Sequence, residues 1–158
     1  MRIRNIVFTG WVVLAAAACG GKGKGGGDTA AQDTRPLFDR LGGKPAIAKV
    51  VTAFVAKTGS DPRISAFFAN TDLPKLEAAM VEHICEITGG PCKYTGRTMI
   101  ASHAGMGVKD EDFAAFMEDL EATLTEVGVP AREKGEVLAA FTGLKPEVVN
   151  IPAAAPAN

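Results

Sequence analysis

Apolar residues recur at intervals of three and four over most of the chain after residue 36, the spacing typical of amphipathic helices. In the stretch PAIAKVVTAFVAK, one helix side would carry Ile47, Val50, Val51, Phe54 and Val55. The spacing predicts four helices, over residues 45–57, 73–88, 110–127 and 130–144. The sequence shows no period-two alternation, so we expect an all-α fold without a sheet.

Turn and cap residues bound these predicted helices. Pro45 suits a first helical turn, and Thr71 or Asp72 can cap the second helix, which runs to Gly89. Residues 62–70 form a shorter apolar piece. Residues 90–108 are rich in Gly and Thr, which predicts a loop with one short helical piece near His103.

The N-terminal pattern differs from the rest of the chain. The basic start MRIRN precedes an apolar run of 13 residues, IVFTGWVVLAAAA, which is too short to span a bilayer comfortably. This arrangement predicts a signal peptide over residues 1–18 and export from the cytoplasm. Cys19 follows small residues, as in bacterial lipoprotein signals, which favours lipidation of Cys19 and anchoring to a membrane. The alternative is an ordinary cleaved signal that leaves a free cysteine.

The remainder of the chain divides by composition into a tether, a domain and a tail. Residues 19–35 are Gly-rich and nearly free of apolar side chains, so we expect a flexible tether. Residues 36–150 form one domain, and residues 151–158 a disordered tail. We therefore expect an exported protein, periplasmic or anchored to the outer membrane.

Charge excludes one class of partner. The chain has 17 basic and 18 acidic side chains, and Arg2 and Arg4 fall in the signal segment, so the exported part is mildly acidic. It has no basic stripe with interleaved aromatic residues, and we expect no nucleic-acid partner.

Two cysteines would remain in an oxidising compartment if Cys19 carries lipid. Cys85 and Cys92 flank Gly89, Gly90 and Pro91, where the chain can fold back, so we predict a disulfide. Two free thiols remain an alternative. A zinc site that adds the two histidines is a further one, although the spacing offers no CxxC or HxxxH pair.

The two histidines have different surroundings in the sequence. On a helical wheel His83 shares the apolar side with Leu76, Met80 and Ile87, while Cys85 points away from that side. A core histidine with one hydrogen bond is the simplest interpretation of His83. His103 lies among small residues in SHAGMG, which would let a flat ligand approach its imidazole, so it is a candidate metal or cofactor ligand.

Four stretches extend these observations to a family: LFDRLGGKPAIAKVVTAFV, DPRISAFFANTD, GGPCKYTGRTMIASHAGMGV and DFAAFMEDLEATLTEVGVP. In this order and spacing they resemble a group I truncated hemoglobin over residues 36–149. The specific parts are the LGG and GGP…YTG motifs, the pair Phe67-Phe68, and the spacing of Met99 and His103. The resemblance implies a truncated globin fold, a two-over-two helical sandwich around one haem b.

The same resemblance implies roles for individual residues. His103 would be the proximal iron ligand, and Phe68 would pack on the haem face. Tyr94, Thr95 and Arg97 would lie near the haem propionates. Together the implied haem contacts are Phe68, Leu76, Met80, His83, Tyr94, Arg97, Met99, His103 and Val108. The sequence contains no CxxCH, so c-type attachment of the haem is not expected.

The distal positions depart from the family pattern. Many members carry Tyr where this chain has Val55, and Gln at one or both positions of Leu76 and Met80. Three arrangements stay open: an apolar five-coordinate pocket, His83 as a hydrogen-bond donor or sixth ligand, and Met80 as an axial ligand.

The resemblance implies reversible binding of a diatomic gas, O2, NO or CO, with oxygen transport as the family label. One alternative is an enzyme of NO dioxygenase or peroxidase type that receives electrons from an unknown reductase. Another is a six-coordinate electron-transfer haem protein.

Overall fold

The computed structural model describes residues 33–153, and all regular structure in that range is helical. The helices are α1 Leu37–Arg40, α2 Gly43–Thr58, α3 Leu73–Ile87, α4 Met99–His103, α5 Asp110–Glu126 and α6 Ala131–Gly143. Two 3-10 segments, Ser65–Phe68 and Lys145–Glu147, complete the set. The expected all-α fold is confirmed. Helix α1 was not predicted, because four residues are too few to show a helical period.

Side-chain caps and left-handed residues set the helix ends. The Asp72 carboxylate accepts the Lys75 backbone N–H at 3.1 Å, which caps α3 as the sequence predicted. Thr98 caps α4 in the same way through the Ala101 N–H, also at 3.1 Å. Just beyond α3, Gly89 has a φ of 82°, which lets the chain turn sharply toward the loop that precedes α4.

Two helix pairs enclose the core. Helix α2 packs against α3 and α5, and α5 packs against α6, which is the expected two-over-two arrangement. The buried core side chains come from these four helices: Ile47, Val51, Phe54, Val55, Val81, Ile84, Leu120, Leu124, Val137 and Phe141. The ring of Phe116, on α5, meets Phe54 edge-on with the ring centroids 4.8 Å apart.

An ion-pair cluster joins α1 to α6. The Arg40 guanidinium donates to Glu133 at 2.6 Å and also bonds Glu136, while its side chain is only 6% exposed. Hydrogen bonding to Arg40 lowers the pKa of Glu136. The pairing satisfies the buried guanidinium and fixes α1 over the start of α6.

Contacts at both ends extend past the predicted domain boundaries. The Asp33 carbonyl accepts a hydrogen bond from Arg132 at 3.2 Å, although residue 33 was assigned to the tether. The Ile151 carbonyl accepts the Gly105 N–H at 3.1 Å, so residue 151 also packs against the domain. Composition cannot detect such backbone contacts. The predicted signal, Cys19, most of the tether and residues 154–158 lie outside the described range.

Between residues 33 and 153, no helix is both long and apolar enough to cross a membrane.

Candidate functional site

Helix α4 presents His103 with one ring nitrogen already engaged. Its Nδ1 lies 2.8 Å from the Met99 carbonyl oxygen, one turn earlier in the same helix. Because a carbonyl can only accept, this contact places the proton on Nδ1 and leaves Nε2 with a free lone pair. A metal-binding imidazole needs this tautomer and orientation.

Apolar side chains near His103 are incompletely covered. Ile100 is 51% exposed and Met106 is 39% exposed, each three residues from His103, and Leu73 at the start of α3 is 37% exposed. Phe67, Phe68 and Met99 are only half-buried. Exposed apolar residues three positions on either side of an oriented imidazole, as Ile100 and Met106 are, fit a large, flat and apolar cofactor such as haem.

The side of α3 implied for the distal pocket is apolar. Leu76 and Met80 are half-buried and pack on the core, while Val55 on the facing helix α2 is 3% exposed. Val108, another implied haem contact, is also buried, and its carbonyl accepts the Asn150 N–H at 2.9 Å. These four side chains supply no hydrogen-bond donor.

His83 lies on the same face of α3 but contacts a different part of the chain. Its ring is 4.9 Å from the Tyr94 ring, centroid to centroid, with a tilt of 56°. Burial lowers the pKa of His83, although the carboxylates of Glu86 and Glu147 oppose the shift. His83 is half-buried, and no hydrogen bond within residues 33–153 anchors its ring, which differs from the simplest core interpretation. The sequence did not indicate the role of Glu147, because residues 64 positions apart give no local signal.

The loop before α4 is fixed around Tyr94. The Tyr94 hydroxyl donates to the Arg97 carbonyl at 2.9 Å, and its backbone N–H donates to Glu86 at 3.3 Å. Arg97 and Thr95 are exposed, and within residues 33–153 the Arg97 side chain forms no ion pair. A free guanidinium at this position is suited to a carboxylate group of a cofactor.

A disulfide joins the end of α3 to this loop. Cys85 and Cys92 are bonded in the structure, with their Cα atoms 5.7 Å apart. The helical wheel placed Cys85 away from the side that carries His83, and the structure shows that this other side of α3 is covered too, because Cys85 is 0% exposed. The returning loop lies against it: a Cβ atom on Gly90 would be 2.7 Å from Cys85 Sγ.

The structure does not bring the histidines and cysteines of residues 83–103 together around one metal. These residues are His83, Cys85, Cys92 and His103. Within the described part of the chain, no three His, Cys, Asp or Glu side chains are arranged to hold a metal ion. The structure brings His83 to Tyr94 and Met99 to His103 instead, and it uses both cysteines in the disulfide.

Comparison with known proteins identifies the family. The family model described as bacterial-like globin matches residues 36–150. The chain is 35% identical to the group 1 truncated hemoglobin GlbN of Mycolicibacterium paratuberculosis over 112 residues, covering 71% of this chain and 82% of that protein. It is 38% identical to a group 1 truncated hemoglobin of Synechocystis over 107 residues, covering 65% of this chain and 86% of that protein.

Solved structures agree. The truncated hemoglobin of Tetrahymena pyriformis in its Fe(III) form superposes with a TM-score of 0.70 at 30% identity, covering 73% of this chain and 98% of that chain. The 2/2 hemoglobin of Synechococcus, described with covalently attached haem, gives a TM-score of 0.69 at 30% identity, with 73% and 99% covered. The chain therefore belongs to the bacterial-like globins, and among them to the group 1 truncated hemoglobins.

Proposed function

We propose that this truncated hemoglobin binds haem b, holds the iron through His103 and binds a diatomic gas reversibly at that iron. The observation that carries the proposal is the His103 Nδ1 contact with the Met99 carbonyl at 2.8 Å, which leaves Nε2 free on a half-buried imidazole. Haem, when bound, would supply an iron that can take up O2, NO or CO.

The chain's own residues supply the surroundings of the haem. Phe68, Leu76, Met80, Met99 and Val108 would provide apolar contacts to the haem and would keep water away from the gas. Arg97 and Tyr94 lie in the loop ahead of His103, where the guanidinium can pair with a haem propionate. The functional residues thus come from the 3-10 segment Ser65–Phe68, from α3 and α4, and from the loops on either side of α4.

The polarity of the side chains in the distal pocket determines which gas binds tightly. Val55, Leu76 and Met80 offer no donor to a bound gas, and a polarised ligand such as dioxygen loses most from that absence. We expect the haem-loaded protein to bind CO and NO tightly and to release dioxygen readily. The apolar distal pocket is thus better suited to transient gas binding than to long-term storage of dioxygen.

An absorption spectrum of the purified domain, reduced and with CO, tests the proposal. Wild type should show a haem band that shifts with CO, and His103→Gly should lose it or recover it only with added imidazole. His83→Ala, which changes the other histidine of the chain, is the matched control and should retain haem. An unchanged spectrum in His103→Gly without imidazole would reject the ligand assignment.

We also propose that the protein is exported and anchored to a membrane by lipid on Cys19. The support is the signal pattern of residues 1–18 together with the Cys85–Cys92 disulfide, a bond that persists in oxidising compartments. Mass spectrometry of the full chain expressed in a bacterium should find a diacylglyceryl group on Cys19, and Cys19→Ala should be released from membranes. Wild type without lipid would refute the anchor.

A further inference from the structure

The imidazole of His83 is held through its ring rather than its nitrogens. Its ring packs on the Tyr94 ring at 4.9 Å, and no hydrogen bond within residues 33–153 involves either ring nitrogen. Neither nitrogen is among the fully buried unpaired atoms, so both remain accessible. A histidine in this state can bind another group as soon as its ring is released.

Tyr94 is held more firmly than the histidine that it contacts. Its hydroxyl and its backbone N–H are both bonded, at 2.9 Å to Arg97 and 3.3 Å to Glu86. Cys92, two residues earlier, is tied to α3 by the disulfide. Gly96 lies directly against the ring, where a Cβ atom would overlap the Tyr94 hydroxyl. Tyr94 is therefore a rigid surface for the imidazole.

A released His83 would be an effective iron ligand. Burial favours the neutral imidazole, the form that binds iron, and the carboxylates of Glu86 and Glu147 are the charged groups that oppose this. The side chain also shares a helix face with Leu76 and Met80, which the proposed function places over the haem.

We propose that Tyr94 is a positioning residue that retains the His83 imidazole at the loop and so keeps the sixth coordination position of the haem iron open to gas. This rests on the proposed function, because it requires haem bound through His103. The retaining contact is between the two rings, and the hydroxyl of Tyr94 serves to fix its own loop.

Absorption spectra of the ferrous protein without added ligand test this role. Wild type should be high-spin and five-coordinate, and Tyr94→Phe, which keeps the ring, should match it. Tyr94→Ala should show sharp low-spin bands, and CO should associate about tenfold more slowly, because His83 must first leave the iron. The double variant His83→Ala/Tyr94→Ala should return to the five-coordinate spectrum and the fast rate.

Three results would overturn the proposal: a low-spin wild type that becomes high-spin in His83→Ala, a high-spin Tyr94→Ala that retains haem, or low-spin Tyr94→Phe. If Tyr94→Ala does not retain haem, Tyr94→Leu, which removes the ring but fills more of its volume, takes its place. It should show the low-spin bands, and a high-spin spectrum of Tyr94→Leu would reject the proposal. Failure of the proposed function looks different, since wild type would then take up no haem or would keep it in His103→Gly.

Discussion

The disulfide at the end of α3 provides a quantitative test of how this region is stabilised. Cys85 and Cys92 are separated by seven positions, so their bond closes a short loop. In the chain-entropy model, a loop of about eight residues removes enough freedom from the unfolded chain to contribute about 2.5 kcal/mol. For a domain of this size that corresponds to about 10 °C in melting temperature.

Urea unfolding monitored by circular dichroism, with haem saturating throughout, measures this quantity. The free energy of unfolding of the wild type should fall by about 2.5 kcal/mol when a reductant breaks the disulfide. Cys85→Ala/Cys92→Ala should show a similar loss without a reductant and no response to it. Alanine suits the 0% exposed Cys85 site, because a serine hydroxyl there would need a hydrogen-bond partner.

A difference below about 1 kcal/mol between oxidised and reduced wild type would refute the reasoning. It would mean that the contacts around Gly89 and Gly90 already hold the loop in place without the disulfide. A reductant effect that persists in the double variant would instead show that the assay reports another change.

Two further substitutions test other features of the packing. Burial raises the pKa of Asp119, assisted by Asp61, and Asp119 Oδ2 has no hydrogen-bond partner in the described chain. Because the pKa is raised on folding, stability falls as the pH rises from the ordinary value of 3.8 to the folded-state pKa. Asp119→Asn should therefore raise the melting temperature at pH 7 but not at pH 3. A lower melting temperature of the variant at pH 7 would contradict this. Gly90→Ala would place a Cβ atom 2.7 Å from Cys85 Sγ and should cost about 1–3 kcal/mol in thermal or urea unfolding. Its control is Gly135→Ala, which meets nothing within 4 Å and should be neutral or stabilising, and equal effects of the two would reject the steric argument.

Much of the fold followed from local patterns. The apolar spacing located α2, α3, α5 and α6, and the cap at Asp72 marked a helix start to within one residue. Such signals act over a few residues, so they can be read without knowing where the rest of the chain lies. Pro45 misplaced the start of α2 by two residues, because Gly42 in a left-handed conformation with a φ of 94° allows the helix to begin at Gly43.

The candidate site likewise combines local features, which the sequence indicates, with contacts between distant segments, which it does not. The surroundings of His103 and the family motifs are local, and the Met99 contact that orients the imidazole is one helical turn long. The assignments of the individual haem contacts remain predictions, and the spectra above test those of His103, His83 and Tyr94. The helical wheel also placed His83 correctly on the face shared with Leu76 and Met80, but it could not give the partner of the ring.

The sequence by itself determined the four long helices and most of their ends, indicated the family and singled out His103 as a candidate ligand, because each of these depends on neighbours within one or two turns. Only the tertiary structure decided that Cys85 is buried, that the Tyr94 ring contacts the His83 ring and that Glu147 lies close enough to act on His83. Those contacts join segments from different parts of the chain, and helical periodicity specifies which face of a helix is covered but not what covers it.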